Sequence, residues 1–202
     1  MEAAELAQDR VIVTADLVEG KNPRNIPKAI FIEDVASFLE RLGHVPVETA
    51  IGAWNELYSK YKTMEANKES FKQNMKGKIP EIERSLDLVK HLVERRESGD
   101  KVVTNYSVCD MVYSKAELEC TGKVCIWLGA AVMVEYTYEE AIALLEKNLA
   151  SATLKQTEAQ EDLEFLRSQS ITVEVNMARI FNWDVRRKRT QREQQAKGEA
   201  AA

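Results

Sequence analysis

The stretch KVVTNYSVCDMVYSKAELECTGKVCIWLGAAVMVEYTYEE, residues 101–140, interrupts the apolar period of the rest of the chain. On either side of it apolar residues recur every three or four positions. Inside it they alternate every second position and are rich in β-branched types, which is the period of a strand. Four strands are predicted: VVTNYSV, VYSKAEL, KVCIWL and VMVEY. Val102, Thr104, Tyr106 and Val108 share one face, as do Val112, Ser114, Ala116 and Leu118, then Val124, Ile126 and Leu128, then Val132, Val134 and Tyr136. Asp110-Met111 and Gly129-Ala130 supply the turns of two hairpins, with Thr121-Gly122 linking them. Isolated hairpins are marginal in water and open edges recruit partners, so the pattern implies oligomerisation. The candidate assembly residues are Val102, Tyr106, Val124, Ile126, Trp127, Val132 and Val134; Trp127 alternates off the Val124-Ile126-Leu128 face, toward a partner or a helix root.

Upstream, residues 47–98 contain one proline and two glycines and mix ten basic with nine acidic residues, the composition of a long solvated helix. Trp54, Leu57, Tyr61, Met64, Lys68, Phe71 and Met75 step by threes and fours, and Ile79, Ile82, Leu86, Val89 and Val93 resume the pattern. The irregular step at Met75–Ile79 coincides with Gly77 and Pro80 and predicts a local bend, because proline removes a donor and crowds the preceding turn. Downstream, a second helix starts near Thr137, an N-cap with Glu139 and Glu140 in its first turn. Leu145, Leu149, Ala152, Gln156, Ala159, Leu163, Leu166, Ser170, Val173, Met177 and Ile180 form an uninterrupted heptad seam. Its alanines, Gln156 and Ser170 make it too thin to dimerise strongly alone, so it packs on the first helix. The fold class is therefore mainly α, a long antiparallel two-helix coiled coil with two β-hairpins between the helices. If Ser98 meets Tyr138, the numbers of facing residues add to about 236, and Trp183 falls near Ala53 and Trp54 at the far tip of an arm about 75 Å long.

Residues 1–25 read as a mobile extension with a short apolar patch at 11–13, and 26–46 as a short amphipathic helix near the tip, carried by IFIEDVASFLERL. The remaining segments are helix 47–98, hairpins 99–136, helix 137–188 and a disordered basic tail, 189–202. The chain carries 28 Lys and Arg against 33 Asp and Glu, a formal charge of −5, which argues against general nucleic-acid binding. No run of 18 apolar residues suggests a membrane span, and the first ten residues lack a signal-peptide core. His44 and His91 stand on different segments, so no catalytic pair is expected and the chain does not read as an enzyme. Cys109, Cys120 and Cys125 are too few and too irregular for a zinc set and read as free thiols; no cofactor or metal is expected.

With YSKYKTMEAN, KGKIPEI, KVCIWLGAAVMVEYTYEEAIALLEKNL, DLEFLR and TVEVNMARIFNWDV in this order, the chain from about Asn22 to Arg187 resembles the α-class subunits of the eukaryotic prefoldin family. The two-hairpin body agrees, since the β class has one hairpin. The resemblance implies a heterohexamer with other α- and β-class subunits, whose strands assemble into an oligomeric β-barrel body from which the coiled coils hang. It also implies an ATP-independent co-chaperone that binds nonnative actin and tubulin and delivers them to the cytosolic group II chaperonin. The expected location is the cytoplasm, with the nucleus as a second compartment.

In such an assembly the coil tips contact clients. Ile180, Phe181 and Trp183 cannot all face one seam, since successive helical residues rotate by about 100°. Phe181 and Trp183 are the leading client contacts, followed by Val185, Ile180 and Trp54. The competing expectation is that Phe31–Leu42 folds over this end and buries these aromatics. A structural coiled-coil tether is the alternative function, although it would not need the strands. The basic run Arg186–Arg192 follows the heptads, whereas in a leucine-zipper factor it precedes them; steering of acidic clients suits it better.

Overall fold

The computed structural model describes residue 12, residues 14–43 and residues 45–199; residues 1–11, Val13, His44 and residues 200–202, with most of the apolar patch expected at 11–13, lie outside the described residues. A 3₁₀ turn, Thr14–Leu17, is followed by β1 (Val18–Lys21), β2 (Pro27–Ala29), α1 (Val35–Arg41), α2 (Val47–Ser98), β3 (Val102–Cys109), β4 (Val112–Leu118), β5 (Lys123–Gly129), β6 (Val132–Thr137) and α3 (Tyr138–Glu199). Two compact units result. One contains the residues through Glu69 with those from Gln160 onward, and the other is Ser70–Ala159.

The boundaries of the second unit are made by local chemistry. Gly99, at φ 69°, ends α2 in a Schellman motif: its N–H donates to the Arg96 carbonyl, and the Asp100 N–H donates to that of Arg95 at 3.1 Å. Thr137 and Glu140 form a reciprocal capping box at the start of α3, Thr137 N–H donating to Glu140 Oε2 at 3.1 Å and Glu140 N–H to Thr137 Oγ1 at 3.3 Å. The α2 helix runs unbroken through Gly77 and Pro80. β3 pairs antiparallel with β4 and β5 with β6, as separate two-stranded sheets. Registers Val102↔Leu118, Thr104↔Ala116 and Tyr106↔Ser114 bring the Val102–Val108 face and the Val112–Leu118 face to one side of the hairpin. The second turn is Ala130-Ala131, one residue later than expected, with both residues at positive φ (48° and 60°). Leu86 and Val89 pack with Tyr138, Ala141 and Leu145, and Val124, Ile126 and Tyr136 cover them.

The first unit corrects the reading of residues 14–46. Leu17, Ile26, Ala29 and Ile32 are buried in one core with Trp54, Leu57, Tyr61, Leu166, Val173 and Ile180, so the described part of the N-terminal extension is a built element rather than a mobile one. The expected helix over residues 26–46 shrinks to α1. Asp34 caps it, its carboxylate accepting from Ala36 N–H at 3.0 Å, and Gly43 at φ 88° follows its end. Residues 27–32 stay extended because Pro27–Ala29 pair antiparallel with β1, the Ile30 N–H donates to the Leu17 carbonyl at 3.0 Å, and the Ala29 N–H, Ile30 carbonyl and Ile32 N–H bond to side chains of α3. At the other end α3 continues to Glu199, past the boundary expected at residue 188.

The heptad seam holds: the positions from Leu145 to Ile180 are all buried or half-buried. Within the first unit Lys188 meets Glu48 at 3.5 Å, and within the second Lys90 meets Glu146 at 3.3 Å, the register expected for antiparallel helices.

Candidate functional site

An N-terminal strap, residues 14–43, is laced to α3 by polar side chains seven residues apart: Asp162, Gln169 and Asn176. Heptad spacing places them on one line beside the apolar seam. Gln169 Oε1 accepts the Ala29 N–H at 2.9 Å. Asn176 Oδ1 accepts the Ile32 N–H at 3.0 Å, and its Nδ2 donates to the Ile30 carbonyl at 2.6 Å. Asp162, with no solvent-accessible side chain, takes Arg24 Nε on one oxygen; Lys68 Nζ approaches the other at 2.8 Å as an ion pair off the hydrogen-bonding direction. Burial alone would raise the Asp162 pKa, but Lys68 and then Arg24 outweigh it and hold the carboxyl below its ordinary value. Tyr61, whose hydroxyl donates to the Pro27 carbonyl at 2.8 Å, is pushed up to about 12 by burial. These three α3 residues were missed in the sequence; their seven-residue spacing was the available signal.

The strap determines which expected contact residues remain available. Trp54 and Ile180 are fully buried in the core, Trp54 tilted against Phe38 of α1 with ring centroids 6.1 Å apart. Both are corrected from surface candidates to core residues, because the strap supplies the apolar cover that two helices alone would lack. Trp183 is half-buried against the same core, with the Arg187 guanidinium 5.0 Å from its ring. Phe181 and Val185 remain open, at 59% and 48% exposure. Phe31–Leu42 therefore covers part of this end and leaves the outward side of α3 free.

The assembly candidates also divide. Val124, Ile126 and Val134 are half-buried, the first two against the α2–α3 core of the second unit. Trp127 is exposed on the other face, opposite Met133, as the alternation requires. Tyr106 and Val132 are exposed and Val102 half-buried. Nearly all of β3 and β4 is open to solvent on both faces, including Val103, Tyr106, Val108 and Tyr113. A strand pair of this kind is completed by further strands. Cys109 and Cys125 are exposed thiols and Cys120 is half-buried; no cluster of metal-binding side chains occurs among the described residues. No helix among them is long and apolar enough to cross a membrane.

Two long antiparallel helices joined by a pair of hairpins with unsatisfied edges define an assembling coiled-coil subunit. The family model for prefoldin subunits matches residues 61–183, and the chain belongs to the prefoldin family. It is 47% identical to prefoldin subunit 3 of Mus musculus over 163 residues, 81% of this chain and 83% of that one. It is 38% identical to prefoldin subunit 3 of Saccharomyces cerevisiae, covering 83% of this chain and 88% of that one. Among solved structures, a chain of filamentous PFD from Methanocaldococcus jannaschii aligns at 16% identity and a TM-score of 0.49, covering 60% of this chain and 98% of that chain. Family membership accounts for the open strands: the chain assembles with other prefoldin subunits, and its role is that of a co-chaperone component rather than an enzyme.

Proposed function

We propose that the chain is one subunit of a heterohexameric prefoldin that captures nonnative actin- and tubulin-type chains without ATP and delivers them to the cytosolic chaperonin. The observation that carries this reading is the exposure of Phe181 and Val185 on α3, outside the core that the strap closes, in a chain of the prefoldin family. Such side chains bind weakly one at a time; several arms acting together convert weak contacts into useful avidity and leave release easy. No nucleotide enters this scheme.

The test is native mass spectrometry of the tagged chain purified from its own cells, followed by capture of denatured actin with and without ATP. A six-chain complex with one copy of this chain, holding actin equally well in both conditions, is expected. A homodimer, or a complex lacking other prefoldin chains, would return the tether reading to first place.

A further inference from the structure

The outward side of α3 in the first unit carries a second apolar row, separate from the seam that faces α2. Ile171, Val175, Phe181 and Val185 are 60, 39, 59 and 48% exposed, and their steps bring them to one side of the helix with Ala178, Asn182 and Glu174, whose carboxylate accepts from the Tyr58 hydroxyl. Further along, the row meets Arg186, Arg189 and Arg192; from Ile171 to Arg192 it spans about 32 Å at the helical rise. Residues 184–193 hold five cations and two anions, in a chain whose net charge is −5. These cations are not equivalent. Arg187 and Lys188 close on Asp184 at 3.3 and 2.6 Å, and Arg189 pairs with Glu193 at 3.0 Å. Arg186 and Arg192 are exposed and have no ion-pair partner among the described residues.

An apolar row ending in uncompensated positive charge is complementary to a polypeptide segment in which apolar side chains are followed by carboxylates. A second copy of the face would bring positive charge against positive charge in a parallel pairing, and against apolar side chains in an antiparallel one. We infer that this face selects nonnative segments of apolar-then-acidic composition over neutral or basic ones. The inference rests on the client-capture reading and adds charge selection to it. Exposed charge pairs are weak and screened by salt, so the selection shows as a graded, salt-sensitive preference.

The test uses the complex reconstituted with its prefoldin partners and three fluorescein-labelled unfolded peptides that share an apolar half and differ in an acidic, neutral or basic second half. Anisotropy titration at low salt should give the acidic peptide about fivefold tighter binding than the neutral one, the scale of two exposed charge contacts. The Arg186→Glu/Arg192→Glu complex should lose this preference while binding the neutral peptide as before, and Arg186→Lys/Arg192→Lys should keep it. Both sites are exposed, so assembly is expected to survive, and native mass spectrometry checks it. Equal affinity for the three peptides, or a preference that survives charge reversal, overturns the inference and leaves client capture standing. Displacement of the acidic peptide by an equally charged single-stranded oligonucleotide at equal concentration would also overturn it, because the face would then read charge alone. Failure of every peptide to bind the wild-type complex would remove the client-capture reading itself.

Discussion

Asn176 of α3 accepts the backbone N–H of Ile32 at 3.0 Å, and through its other amide atom it donates to the carbonyl two residues earlier. One buried side chain thus replaces a neighbouring strand for the extended strap. Asn176→Ala removes both bonds and leaves buried backbone groups unpaired, a destabilisation of about 2–4 kcal/mol. Hydrogen exchange should show the Ile32 amide losing protection while amides of β5 and β6 keep theirs. Unchanged exchange at Ile32 would mean the bond contributes nothing.

Asp162 makes the attachment sensitive to acid. Its folded pKa lies below the ordinary value, so its contribution is complete above the unfolded pKa of about 3.9 and is lost as pH falls through the folded value. Asp162→Asn should be less stable than wild type by about 2–3 kcal/mol near pH 7, less than for a fully buried pair because Arg24 and Lys68 reach solvent. Thermal unfolding should show the two proteins converging below about pH 4. Parallel curves across that range would contradict the assignment.

The open and half-buried residues near the end of α3 should respond differently. Phe181→Ser with Val185→Ser should weaken capture of denatured actin several-fold and leave thermal stability within about 0.5 kcal/mol of wild type. Trp183→Ser should instead cost roughly 1–2 kcal/mol, since its ring packs on the core and under Arg187. Loss of assembly in the first variant would mark Phe181 and Val185 as structural.

Trp127 and Tyr106 are exposed on strands that need partners. Trp127→Glu or Tyr106→Glu should reduce co-assembly with other prefoldin subunits while the far-UV spectrum of the free chain stays helical. Undiminished assembly would place the subunit contacts elsewhere on the hairpins.

The β5–β6 turn holds Ala130 and Ala131 at positive φ, which L-residues with a Cβ adopt at a cost of about 1–2 kcal/mol each. An asparagine followed by a glycine suits such a turn, and the double substitution Ala130→Asn with Ala131→Gly should raise stability by about 1 kcal/mol. A fall in melting temperature would show that the methyl groups pack against something in the assembly.

The two helix ends that flank the hairpins, the four strands between them, the coiled-coil seam and its register were legible in the sequence because they are written in local periods and local bonds. Gly99 closes a turn three and four residues back, and Thr137 reaches three residues ahead. The expected register followed from setting Ser98 against Tyr138 at the hairpin end of the two helices. Local periods and local bonds are thus enough to specify a prefoldin-type hairpin of helices with unsatisfied strands. Long-range packing makes Trp54 and Ile180 core residues and turns Phe181 and Val185 outward, a decision that no local period records. That decision is made by bonds between residues about 140 apart, where Gln169 and Asn176 hold the strap's backbone. Within α3 those two side chains look like ordinary polar positions, and their role exists only once a distant extended segment lies against them.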